Sequence, residues 1–173
     1  MKISFTICFL ILLSSCKQDT VDPEMSKSYM KFMVDAEQVE YSGGCNQLAN
    51  NEEGVCCSKG TALALDTIIP AYYISGGNPA GDEYILFEII TDSLVSGLYD
   101  ESSGLFETIF SRNDSLYSSA SNPSHFTVNV IRNADATIEG NFAGTLYRRI
   151  NFTSDFDSIV ITNGTFGNVQ IVY

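Results

Sequence analysis

The feature that most restricts how this chain can fold is a period of two. Apolar residues recur at every second position, most plainly where Phe126, Val128 and Val130 are followed by Ile138, Gly140, Phe142, Gly144 and Leu146. Side chains of an extended strand point to opposite faces in turn, so this spacing puts one set on a core and leaves the other in water. No apolar 3.6-residue period is sustained over a dozen residues, and little helix is expected. The two runs read as one long antiparallel hairpin around Arg132-Asn133-Ala134-Asp135, its glycines marking a bend or a close backbone approach.

The same reading extends along the chain. Residues 29–42 form a hairpin with Asp35-Ala36 at the bend, and residues 43–60 form a loop. Short apolar runs at 61–65, 71–75 and 84–90 are separated by Pro70, Gly76-Gly77-Asn78-Pro79 and Gly81-Asp82, which is turn chemistry. The run at 84–90 is nearly continuous, as in a strand buried on both faces. Further strands are expected at 97–99 and 105–110, a long polar connection at 111–123, and two final strands either side of Asn163-Gly164. Roughly nine to eleven strands at this spacing predict an all-β fold: a single antiparallel β-sandwich or a small closed β-barrel. With 45% hydrophobic and 17% charged residues the composition is that of a globular domain.

The N-terminus says where such a domain works. Lys2 precedes an apolar stretch over residues 3–13, about half the roughly 20 residues a membrane-spanning helix needs, so it reads as a signal-peptide core. It ends in Leu13-Ser14-Ser15-Cys16, which resembles the bacterial lipobox. That resemblance implies cleavage before Cys16 and a diacylglyceryl thioether on its sulfur. The expected organisation is a removed signal peptide over 1–15, a flexible tether over 16–28 and one β domain over 29–173, lipid-anchored in the cell envelope at the outer membrane.

Charge restricts the partners. The formal net charge is −12, and loss of Lys2 makes it −13. So acidic a surface repels phosphate backbones, and Arg148-Arg149 is the longest basic run, so nucleic acid is excluded as a partner. Anionic membranes repel the body as well, which leaves attachment to the lipid on Cys16. An envelope protein or glycan is the remaining kind of partner.

In an oxidising compartment, Cys45 is expected to pair with Cys56 or Cys57, stapling a short loop worth roughly 3 kcal/mol and leaving one thiol over. Zinc is a minor alternative, since His125 is remote and is the sole histidine. No metal, cofactor or catalytic residue is assigned. A serine hydrolase needs a base beside its nucleophile, and His125 stands at a strand start with no Gly-x-Ser-x-Gly elbow in the chain. Asp82-Glu83, Asp100-Glu101 and Asp155 with Asp157 are the acidic pairs that glycoside hydrolysis would draw on. Asp155 with Asp157, or Asp92 with Asp100 and Glu101, are also oxygen donors that calcium could use, but the twelve-residue loop pattern is missing. Among aromatic glycan platforms, Tyr72 and Tyr73 are neighbours on a strand, so one of them belongs to the core.

One tripeptide recurs. Asp precedes Thr20, Thr67, Ser93, Ser115 and Ser158, and an aliphatic residue follows each, where chance gives about one such triplet. The pattern resembles the O-glycosylation sequon of a large phylum of Gram-negative bacteria, and it also suits Asx-turns before strands. Finally, Phe32-Met33-Val34-Asp35, Gly97-Leu98-Tyr99, Gly140-Asn141-Phe142-Ala143-Gly144-Thr145-Leu146 and Ile161-Thr162-Asn163-Gly164-Thr165-Phe166 together are similar to an uncharacterised family of exported bacterial lipoproteins. That resemblance implies a β-rich exported domain and no established activity. The expectation is a cell-envelope lipoprotein with a non-catalytic binding or structural module. A lipocalin-like small-ligand carrier is the alternative and an envelope hydrolase the third.

Overall fold

The computed structural model describes residues 27–44, 54–64, 67–78, 80–120, 125–132, 136–150 and 156–173. The fold is all-β. Eleven strands are described: β1 Tyr29–Val34, β2 Glu37–Ser42, β3 Gly54–Ala64, β4 Thr67–Gly77, β5 Glu83–Ile90, β6 Gly97–Asp100, β7 Phe106–Arg112, β8 Ser115–Ser118, β9 His125–Arg132, β10 Thr137–Arg149 and β11 Phe156–Val172. The only helical piece among the described residues is a 3-10 turn over Glu101–Ser103.

The two longest strands organise the rest. β10 and β11 pair antiparallel from Thr137 opposite Gln170 to Arg149 opposite Phe156. The free edge of β11 carries β1, antiparallel, and then β3 at Ile171 and Val172. The free edge of β10 carries β9 and then β8, which meets it at Ser118 opposite Tyr147. One layer therefore runs β2-β1-β11-β10-β9-β6, and a second, β3-β4-β5-β7-β8, joins it at both sides. Seven strands close into a ring, and the β1–β2 and β9–β6 pairs extend from it. The fold thus has features of both expected architectures: two facing layers, and closure at their edges.

The β3–β11 pair is parallel, unlike the expected all-antiparallel order. β3 comes to β11 from the other layer, so its direction follows β4 rather than a hairpin with β11.

Why these residues pair as they do is visible at the turns. Asp35 and Ala36 have φ of 47° and 72°, and Asn113 and Asp114 of 49° and 60°. Positive φ at both central residues is the two-residue turn whose twist matches antiparallel strands. The second of these turns folds the polar stretch after Ser111 into the β7–β8 hairpin, where a long connection was expected. The expected loop over 43–60 is shorter too, because β3 begins at Gly54 and takes in Cys56 and Cys57.

Asn163-Gly164 does not separate two final strands. β11 continues through it, and the register with β10 slips between Phe142 and Gly144 and again between Ile138 and Gly140. Asn163 and Asn168, at φ 54° and 55°, sit at these two slips. They are bulges, which bend a long strand so that it can serve partners in both layers.

Between the layers lies one core, and it is aromatic. Phe142 of β10 is its hub, with ring centroids 5.5 Å from Phe32, 4.9 Å from Phe87, 6.3 Å from Phe126 and 6.4 Å from Phe166. Phe32 also meets Phe110 at 6.0 Å. Rings at such distances and tilts gain about 0.5–1.5 kcal/mol per pair beyond area burial. Glycines make the room. A Cβ on Gly164 would stand 2.4 Å from the Phe142 ring, and one on Gly140 2.6 Å from the Phe166 ring. The alternation read from β9 and β10 holds: Phe126, Val128, Val130, Ile138, Phe142 and Leu146 are all buried. β5 is corrected, since only Ile85, Phe87 and Ile89 reach the core while its other face is half-buried.

Candidate functional site

Two side-chain clusters tie the layers together, and they use several of the acids that a catalytic reading would need. Arg112 of β7 pairs with Glu83 of β5, and at 2.9 Å with Glu37 of β2. Tyr41 of β2 donates to the same Glu83 at 2.9 Å. Burial, reinforced by the Glu83 carboxylate, holds the Tyr41 phenol far above its ordinary range, so it stays a neutral donor. Across the β7–β8 turn, where Ser115 stands opposite Arg112, Arg148 of β10 reaches Ser115 of β8 and, at 2.8 Å, Asp157 of β11. Tyr117 of β8 donates to that carboxylate at 3.0 Å. The Tyr117 hydrogen bond, with Arg148 beside it, holds the Asp157 carboxyl below the usual range. β9 is anchored near both of its ends: the Glu101 carboxylate accepts from the Phe126 amide at 2.9 Å, and Arg132 donates to the Leu94 carbonyl at 3.0 Å.

The acidic pairs from the sequence are therefore dispersed. Asp82 is exposed beside Glu83 and accepts from Asn78. Asp100 accepts from the Ser102 amide and so caps the 3-10 turn that Glu101 begins. Asp92 is exposed in a bend, and Asp155 lies outside the described residues. His125 is exposed at the first position of β9. No group of three His, Cys, Asp or Glu side chains suited to a metal ion occurs among the described residues. Of the two tyrosines proposed as neighbours on opposite faces, Tyr72 is buried and Tyr73 is half-buried on the outer face.

Cys16, Thr20 and Cys45 lie outside the described residues. Cys57 is a free thiol with 0% exposure, which corrects one of the two expected pairings. The period of β3 explains it: Cys57 points inward with Val55, and Cys56 points out. Burial pushes the Cys57 thiol up to about 12. Such a thiol is inert at neutral pH.

The structure distinguishes the four hydroxyls it describes. Thr67, Ser93 and Ser158 are exposed, whereas Ser115 is half-buried and bonded to Arg148. The aliphatic residues after them also divide. Leu94 and Ile159 are core residues, so packing accounts for them; Ile68 and Leu116 are 73% and 51% exposed, and packing does not.

Several surface grooves are lined by described residues. One of about 660 Å³ is lined by Lys27, Tyr29, Lys31, Glu40 and Thr165, and one of about 220 Å³ by Glu37, Asn78, Asp82, Glu83 and Arg112. A third, of about 310 Å³, has Leu63, Ile90 and Phe106 along it with Glu88, Glu101 and Glu107 at its margin. Sequence reading missed this one. Its signal was a lone charge, Glu88, inside the apolar run at 84–90. The cross-strand partner that makes it a pair, Glu107, becomes visible only in register. In comparisons with protein-family models, with curated proteins and with solved structures, the chain matches none.

Proposed function

We propose that this chain is a lipoprotein of the bacterial cell envelope, held to the membrane by lipid on Cys16, whose β domain is a non-catalytic binding or structural module. The observation that carries the module reading is the aromatic packing among the described strands: Phe142 meets the rings of Phe32, Phe87, Phe126 and Phe166 where a carrier would hold its ligand. A lipocalin-like carrier needs free volume of a few hundred Å³ inside the strands. The anchor reading rests on Leu13-Ser14-Ser15-Cys16 and on the acidic body that lipid attachment has to overcome.

Two modifications belong to this proposal. A disulfide joins Cys45 to Cys56; supporting it, Cys57 is free and buried while Cys56 faces out of the core. Glycan is carried on some of Thr20, Thr67, Ser93, Ser115 and Ser158, and the exposed Ile68 and Leu116 support a recognition motif over a purely structural turn.

Fractionation of cells making the full chain or Cys16→Ser is the test. The parent is expected in the detergent-extracted membrane fraction and the variant in the soluble fraction; a membrane-bound variant would refute the anchor. Intact mass of the exported parent should exceed peptide plus lipid by hexose-sized steps. A mass of peptide plus lipid alone would remove the glycan.

A further inference from the structure

The groove beside β5 and β7 combines two features that a free surface would avoid. The first is electrostatic. Glu88 and Glu107 stand directly opposite each other across the β5–β7 ladder, on the outer face. Like charges in that position repel, and they destabilise a sheet. None of the four ion pairs among the described residues uses either one. Their hydrogen bonds come from neutral hydroxyls, Tyr73 to Glu88 at 3.3 Å and Ser118 to Glu107 at 2.8 Å. A carboxylate offers about four acceptor sites, so each keeps capacity for a cation.

The second feature is apolar. Leu63 of β3 lines the groove at 75% exposure, beside its cross-strand partner Ile68, and Leu105 is 46% exposed next to Phe106 on the groove wall. Apolar area left in water next to an unneutralised pair of charges is complementary to a ligand that brings a cation on an apolar body.

We infer that this groove binds a basic segment of a partner protein, with an apolar side chain seated against Leu63 and Ile90 and a lysine or arginine cation between Glu88 and Glu107. A hard metal ion does not suit it, because the described residues hold no metal-competent cluster and the wall is apolar. A second copy of this acidic chain, or an anionic membrane, would meet repulsion at the same carboxylates. The inference specifies the binding face of the module proposed above, and it is tested in detergent solution, where the fate of the anchor does not enter.

The probe is a fluorescein-labelled pentapeptide of alternating lysine and phenylalanine, titrated by anisotropy into the full chain in detergent. Saturation is expected, with Glu88→Gln/Glu107→Gln raising Kd about tenfold and Glu139→Gln, on exposed β10, changing it less than about twofold. Leu63→Ser, at an exposed position and so safe for folding, should weaken binding several-fold, as should replacing the phenylalanines of the probe by serine. Removing a repelling pair should leave the double variant melting at or above the parent. No saturation by about 1 mM, an equal effect of Glu139→Gln, or full binding of the serine probe would each overturn the inference.

Discussion

Thr108 faces the core from β7 between Phe106 and Phe110, fully buried, and its hydroxyl has no partner. A buried hydroxyl without a hydrogen bond costs about 1–3 kcal/mol, so Thr108→Val, which keeps the shape, is expected to stabilise the domain by about 1 kcal/mol in urea unfolding. Cys57 gives a pH dependence. Its thiol is raised from 9.0 to about 12 by burial, so the unfolded chain ionises first. Stability should be level below about pH 9 and fall between there and about pH 12, because the unfolded state then binds fewer protons than the folded one. Cys57→Val should flatten that limb until Tyr41 begins its own contribution near pH 10. Alkaline melting curves of parent and variant check it. At this scale, burial of Cys57 could be read only in part: the sequence shows two adjacent cysteines, and the register of β3 decides which faces in.

At the scale of elements, β11 shows how one strand can be made to serve three partners. Its two asparagines take left-handed backbone at the bulges, and Gly164 lies bare beneath Phe142. Gly164→Ala would put a Cβ 2.4 Å from that ring and 2.5 Å from the Phe142 carbonyl oxygen. The strand cannot withdraw without breaking its pairing with β10, so a loss of roughly 1–3 kcal/mol is expected in chemical denaturation. Asn163→Gly, which accepts the same backbone, should stay within a few tenths of a kcal/mol. The alternation in β9 and β10 was legible because each side chain answers to its own residue type. The Asn-Gly step was not, since a turn and a bulge ask for the same left-handed conformation, and only the pairing partner separates them.

For the whole molecule, the narrowest seam among the described residues is the one between β8 and β10, where Ser118 stands opposite Tyr147. Side chains reinforce it. Arg148 spans from Ser115 on β8 to Asp157 on β11, and Tyr117 closes the circuit to the same carboxylate. Arg148→Met keeps the packing over Tyr117, whose ring centroid lies 5.2 Å from the guanidinium carbon, but removes the bridge. Its half-exposed setting limits the cost to about 1–2 kcal/mol, and hydrogen exchange should quicken first in β8 and the adjoining end of β7. Uniform acceleration across all strands would mean that the ring opens as one unit.

By itself the sequence determined that this chain is built of strands, which residues of β9 and β10 face inward, and that its charge is strongly acidic. These are local properties, set by a period of two and by charge. Tertiary structure decided that the strands close into a ring around Phe142, that Cys57 is inside, and that Glu88 and Glu107 meet. Each of those depends on register between segments distant in the chain, and register is settled by packing of the two layers against each other.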